Sequence, residues 1–152
     1  MSNFAPLQCD NDLKQIIKAA FDTDLDIQGS WGYTQEDATI VISSSVPLKQ
    51  FEHMFASMRA YIEMNMTRKK DERYGSINLN ETKREQVQVN TKLYDKVSYE
   101  INAMNEKVYA SFINAYKEGY GKEAFDIEAH FNERKKATLI REVTHWFEIS
   151  SC

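Results

Sequence analysis

The residues of this chain whose types could do chemistry are its histidines, its cysteines and a few clustered carboxylates. His130 sits in "EAHFNE" with Glu128 and Glu133 nearby. On a helix His130 and Glu133 would share a face, since positions three apart are neighbours. A metal site needs several nitrogen, oxygen or sulfur ligands converging, and no His-x-x-x-His or Cys-x-x-Cys spacing supplies the remainder. His53 lies one position off an apolar helical stripe and His145 lies beside Trp146. Solvated or core-satisfied roles suit all three histidines, so neither a metal nor another cofactor is expected. Cys9 and Cys152 stand far apart with no nucleophile motif around either. They read as two free thiols in a reducing compartment, with a disulfide between them as the alternative. Ser43-Ser44-Ser45 precedes Val46-Pro47 and fits helix capping better than acyl transfer. Glu36 and Asp37 fall in a polar turn where water solvates both. No Gly-x-Ser-x-Gly, Walker loop or dinucleotide fingerprint is present. No residue is assigned a catalytic role.

Basic clusters offer one further chemistry. Arg68-Lys69-Lys70, Lys83-Arg84 and Arg134-Lys135-Lys136 could converge at one end of a sheet, with Tyr74 and Tyr94 as stacking groups for a nucleic acid. Acids adjoin nearly every cluster, however, as in Lys70-Asp71-Glu72-Arg73. The formal net charge is −4. It is also uneven, with nine acidic against four basic residues in 1–66 and fourteen against fifteen thereafter. An acidic first half repels phosphate backbones and favours neutral or basic partners. No nucleic-acid partner is expected.

These residues must be positioned by an architecture, and 152 residues with 42 % apolar composition fit one domain with a real core. No apolar run approaches the ~20 residues of a membrane helix, and Met1 to Pro6 carries no basic-then-apolar leader. The expected location is therefore cytoplasmic, with no membrane partner. Residues 1–10 are expected to be a flexible N-terminus, and 11–149 a single α+β domain. Asp10 or Asp12 can cap a helix over about 11–23, where Leu13, Ile16, Ile17 and Ala20 recur at helical spacing. Two β-like runs follow, roughly 25–33 and 38–43, joined by the hairpin loop "TQED". The strongest helix signal covers about 46–66, with Leu48, Phe51, Phe55, Met58 and Ile62 in one stripe. "RYGSINLN" at 73–80 alternates as a strand, and "ETKRE" is expected to turn the chain. Val87, Val89, Leu93, Val97, Tyr99 and Ile101 all fall on odd positions, which predicts one long strand over 86–101 or two interrupted near Asp95. Helices over about 103–118 and 122–135, separated by "EGYG", and a closing strand through "ATLIREVTHWFEI" complete the chain. Hairpin-length connections imply an antiparallel sheet of about five strands, covered by the long central helix and further helices.

Two features point to a surface rather than a reaction. In "WGYTQEDATIVI", Trp31 and Tyr33 share parity with Leu25 and Ile27, so they wall the core or, alternatively, form a binding surface, as Trp and Tyr often do at interfaces. Four of the six methionines lie on the 46–66 helix. Methionine either fills core gaps or lines surfaces that adapt to varied partners. On an ideal helix Met54, Tyr61 and Met64 extend past the stripe to a flank, and Met64 and Met66, either side of Asn65, cannot both face inward. A flank that one sheet cannot cover predicts a homodimer, or a grip on a client. Met54, Tyr61, Met64, Trp31 and Tyr33 are the candidate partner-binding residues.

The leading helix, hairpin, long central helix, antiparallel strands and following helix resemble the type III secretion chaperone-like fold. The segment "RAYIEMNMTRKKDERYGSINLN" looks like the place in that family where the central helix ends near an asparagine and enters a strand. The likeness spans about residues 11–118. It lacks the third strand that the family usually has before the central helix, and the stretch 119–152 has no counterpart there. Longin and roadblock-like domains share a similar order of elements. The resemblance implies a small, acidic, dimeric protein that binds other proteins without catalysis. The rival expectation is a small-molecule-binding protein or small enzyme, with Tyr33, Tyr99, Trp146 and His145 lining a pocket between sheet and helices.

Overall fold

In the computed structural model, residues 4–8, 12–122 and 125–152 are described. Cys9 lies outside them, so the expectation for a Cys9–Cys152 pair does too. Helix α1, Leu13–Phe21, starts where the Asp12 carboxylate accepts the amide of Lys14 and ends at Asp22 in the left-handed region. Strands β1 (Ile27–Gly29) and β2 (Thr39–Val41) pair antiparallel. Between them Gly32 turns with φ 82° and its amide donates to the Asp37 carbonyl. Helix α2 covers Leu48–Tyr61 and continues as a single π turn, Ile62–Met66. A short 3₁₀ turn leads into β3, Tyr74–Val89, which pairs antiparallel with β4, Lys92–Asn105. Helices α3 (Glu106–Gly119) and α4 (Ile127–Ala137) form a hairpin, and β5, Leu139–Glu148, closes the sheet.

The fold is α+β with a five-stranded sheet in the order β1-β2-β5-β4-β3. The sheet is mixed, which corrects the expectation of an antiparallel one. Thr39 and Ile40 of β2 run parallel to Phe147 and Glu148 of β5. The reason lies in α2. A helix that leaves one strand and delivers the chain to another strand of the same sheet makes a crossover, and crossovers join parallel strands. Strand β2 therefore shares its direction with β3 and with β5, and the chain reverses between β1 and β2, between β3 and β4, and again across the α3–α4 hairpin that joins β4 to β5. Adjacency in sequence conceals this, because β5 sits at the centre between strands it follows by long intervals.

Other boundaries move for identifiable reasons. "ETKRE" does not turn the chain. Residues 81–85 continue β3 with a register shift between Glu81 and Lys83. As an edge strand β3 has a free side to water, and its polar, charged content resembles a loop while protecting that edge. The turn falls instead at Asn90-Thr91, with Asn90 at φ 57°. The odd-position alternation is real on β4, where Val97, Tyr99, Ile101 and Ala103 are buried and Ser98, Glu100 and Asn102 are half-buried on the other face. The regular α geometry of the central helix stops after 14 residues, shorter than 46–66.

One core holds the domain. Phe51 and Phe55 of α2 press on the sheet between Trp31, Val97, Tyr99 and Phe147, and Ala56 and Ala60 let the backbone approach closely. Leu13 and Ile17 of α1 close the β1 end. Part of the segment before α1 also lies against the domain. Phe4 packs edge-on to Tyr74, and the Leu7 amide donates to the Tyr33 hydroxyl.

Candidate functional site

The face of α2 that meets the sheet is not purely apolar. Glu52, Ala56, Arg59 and Glu63 recur at helical spacing beside the apolar stripe, and the three charged members are 0 %, 1 % and 3 % exposed. Burying a charge is tolerable only when partners replace water, and each finds partners from the strands. The Arg59 guanidinium donates to the carbonyls of Trp31 and Thr144, both at 3.2 Å, and lies 4.4 Å over the Tyr33 ring. Burial lowers its pKa from the ordinary arginine value, opposed by the nearby Glu63. Glu63 accepts from Arg141 at 3.0 Å and from the Tyr33 hydroxyl. Burial, and then that contact, raise the Tyr33 hydroxyl above its usual range, so it stays a donor.

The other end of α2 is anchored by Arg84. Its Nη1 donates to Glu52 at 2.6 Å and to Asp95 at 3.3 Å, while Nη2 donates to Glu81 at 2.7 Å. Three carboxylates around one guanidinium leave an excess of negative charge, only partly met by Lys49 at 3.6 Å from Glu81. Burial, followed by Asp95 beside it, pushes the Glu52 carboxyl up to about 8, with Arg84 opposing. Glu52 is therefore the member of the cluster that holds a proton at neutral pH. The hydrogen bond from Arg84 pushes Glu81 down, with burial opposing. Between the two anchors His145 stacks on Phe147 at 4.0 Å, and its Nε2 lies 2.9 Å from the Thr39 hydroxyl. Complete burial, and then Arg59, hold it neutral well below the usual imidazole value. This polar band fixes the helix and strands in place. It presents no nucleophile to an open cleft.

The opposite flank of α2 faces outward and is concave. A cleft of about 550 Å³ lies between residues 23–26, residues 43–46 and the first turns of α2, with Asp24, Asp26 and Ser43 at its polar side and Phe51 and Met54 at its apolar side. Met54 also belongs to an adjoining groove with Phe21, Met58, Tyr61 and Ile77. Gln50, His53, Met54, Ser57, Met58 and Tyr61 thus form one helical stripe along both depressions.

The candidate residues separate accordingly. Met54 is half-buried in the groove, and Tyr61 is 42 % exposed there with its ring 6.0 Å from that of Phe21. Met64 is fully buried, contrary to the flank position expected of it. The π turn accounts for this, because its wider winding changes the helical phase after Tyr61 and brings Met64 round to the inner face that Glu63 already shares. Met66 stays outside at 45 % exposure. Trp31 is 2 % exposed and walls the core, so it offers no surface, whereas Tyr33 is half-buried and committed to Glu63. The pocket lining expected of Tyr99 and His145 does not form, since both are at 0 % exposure in the core. His130 lies in an aromatic nest with Phe112, Tyr116 and Phe125, while Glu133 pairs with Lys136. Among the described residues no group of three or more His, Cys, Asp or Glu is placed to hold a metal. Members of the basic clusters are engaged within the domain. Arg68 stacks on Phe4, Arg84 serves Glu52, Arg134 lies over Tyr109, and Tyr94 is buried.

Sequence patterning missed the buried charges. Their one signal is spacing, because Glu52, Arg59 and Glu63 follow the same period as the small residues Ala56 and Ala60. No family model, curated protein or solved structure matches this chain. No helix is long and apolar enough to cross a membrane among the described residues.

Proposed function

We propose that this chain is a non-enzymatic protein-binding domain, chaperone-like or adaptor-like, that works in the cytoplasm and grips a protein partner through the outer flank of α2. The supporting observation is the groove of Phe21, Met54, Met58, Tyr61 and Ile77, an open apolar depression on the outer side of a helix whose inner side is locked to the sheet. Methionines in such a groove adapt to a partner's shape, and a half-exposed tyrosine contributes rigid amphipathic contact area. The free, exposed thiol of Cys152 suits a reducing compartment. The kinship with type III secretion chaperones is part of this proposal and rests on element order, size and charge.

Affinity capture from native lysate, with mass spectrometry of both proteins and small molecules, tests it. The wild-type chain retains a protein that a Met54→Lys/Tyr61→Glu variant of unchanged melting temperature releases. Retention by the variant would move the partner off this flank. A second reading is favoured by the cleft itself, whose volume of about 550 Å³ and convergent Asp24, Asp26 and Ser43 suit a small ligand. A copurifying small molecule, with no protein captured, would select that reading.

A further inference from the structure

The occupant of the α2 groove can be narrowed by asking which chemistry on the molecule complements it. One end of the depression is acidic. Asp24 and Asp26 line it, Asp22 stands beside them, and among the described residues the base paired there is Lys18, shared between Asp22 and Asp24 at 3.2 and 3.3 Å. The other end is apolar, through Met58, Tyr61 and Ile77. A complementary segment carries positive charge at one end and apolar side chains at the other.

Helix α4 has that pattern. Ile127 and Phe131, four residues apart, are 44 % and 48 % exposed, and Arg134, Lys135 and Lys136 fill its last turn. Ile127, Phe131 and Lys135 lie on one stripe. Only His130 of α4 is buried, so the helix is held by one face and leaves the other uncovered. Lengths agree as well. The 11 residues of α4 rise ~16 Å at 1.5 Å per residue, as does the stripe from Gln50 to Tyr61.

We propose that a second copy of this chain occupies the groove through its α4, with the exchange reciprocated about a two-fold axis. This rests on the groove being a protein-binding surface, as proposed above, and names its partner. Reciprocity matters physically, because a single groove of this length buries less than the ~1,000 Å² of a stable interface, and two-fold seating doubles the contact and closes the assembly. The arginine and lysines at the end of α4 meet Asp24 and Asp26, which fixes the direction of the helix in the groove.

A benzophenone amino acid at position 61, irradiated in the full-length protein in native lysate, tests both levels. The expected product is a dimer cross-linked to residues 127–136 of the second copy. A cross-link to another region of the second copy overturns the α4 assignment. A cross-link to a different protein overturns the self-association and leaves the protein-binding function standing. Irradiation that yields no protein adduct overturns both. Sedimentation with purified protein gives an independent check. Lys135→Glu/Lys136→Glu and Asp24→Lys/Asp26→Lys should each weaken dimerisation about tenfold, and mixing the two should restore a heterodimer in which both reciprocal contacts are charge-matched. Failure of the mixture to recover would refute the pairing.

Discussion

Helices α2 and α3 have the same length, 14 residues, yet the domain treats α2 and the α3–α4 hairpin differently. Helix α2 buries Phe51, Glu52, Phe55, Ala56, Arg59 and Ala60, whereas α3 buries nothing and α4 only His130. The difference lies in what stands opposite. Strands β3 and β5 provide Arg84, Arg141 and the Thr144 carbonyl at the points where the helix carries charge, so each buried charge meets a partner, although Glu52 Oε2, Arg84 Nε and His145 Nδ1 in the same band have none among the described residues. The hairpin instead closes on itself through an aromatic nest around Tyr116 and His130, and only its root meets the sheet. A charged helix becomes core when the sheet supplies its counter-groups, and otherwise packs by its aromatics alone.

The largest effects should come from removing what faces α2. Phe55→Ala should lower stability by about 3–5 kcal/mol, the usual range for a buried phenylalanine. Arg84→Ala should cost a similar ~3–5 kcal/mol by stranding Glu52 and Asp95. Denaturant unfolding measures both, and a loss below ~1 kcal/mol for either would mean that α2 is no better anchored than the hairpin. Gly32→Ala comes next. A Cβ there would lie 2.3 Å from the His145 ring, at a backbone φ of 82°, which together should cost about 2–4 kcal/mol.

The polar band should also write itself into the pH dependence of stability. Glu52, pushed up to about 8 in the fold, binds its proton more tightly folded than unfolded. Its contribution is complete below the unfolded value of 4.5 and is lost as pH rises to about 8. His145, neutral when folded, acts in the opposite sense, and its contribution is lost as pH falls below the unfolded value of 6.5. The two oppose each other in acid, so a net fall should emerge between about pH 6.5 and 8, at most ~1.4 kcal/mol per pH unit. Chemical denaturation across that range should show the slope in the wild type and its loss in Glu52→Gln. An identical slope in the variant would place the proton elsewhere. The smallest effect belongs to the hairpin. Phe131→Ser should change global stability by less than ~1 kcal/mol, and amide exchange should open 106–137 before β4 and β5.

How much of this was legible in the sequence depended on whether a residue's neighbours were local. The apolar stripe of α2 and the alternation of β4 follow from period alone, and the capped first helix and the final strand follow from other local signals. The exposed position of Tyr61 and the half-buried one of Met54 follow from helical phase, and that phase held until the π turn, after which Met64 pointed inward. No periodicity announces such a turn. The middle of β3, residues 81–85, was hidden because edge strands are polar, and the buried pairs were hidden because Glu52 and Arg84, or Glu63 and Arg141, are separated by 32 and 78 residues. A charge on a helix reads as solvated until its distant counter-group is known.

The parallel contact between β2 and β5 has a consequence for how the protein is made. It joins Thr39 to Phe147, so the hairpin that begins the sheet waits for the strand that the ribosome delivers last of the five. Until residues 139–148 emerge, the nascent chain carries Phe51 and Phe55 on a helix whose central partner strand does not yet exist. Translation runs at roughly 5–20 residues per second, which leaves that apolar face uncovered for seconds, long enough for a cellular chaperone or a neighbouring nascent chain to find it.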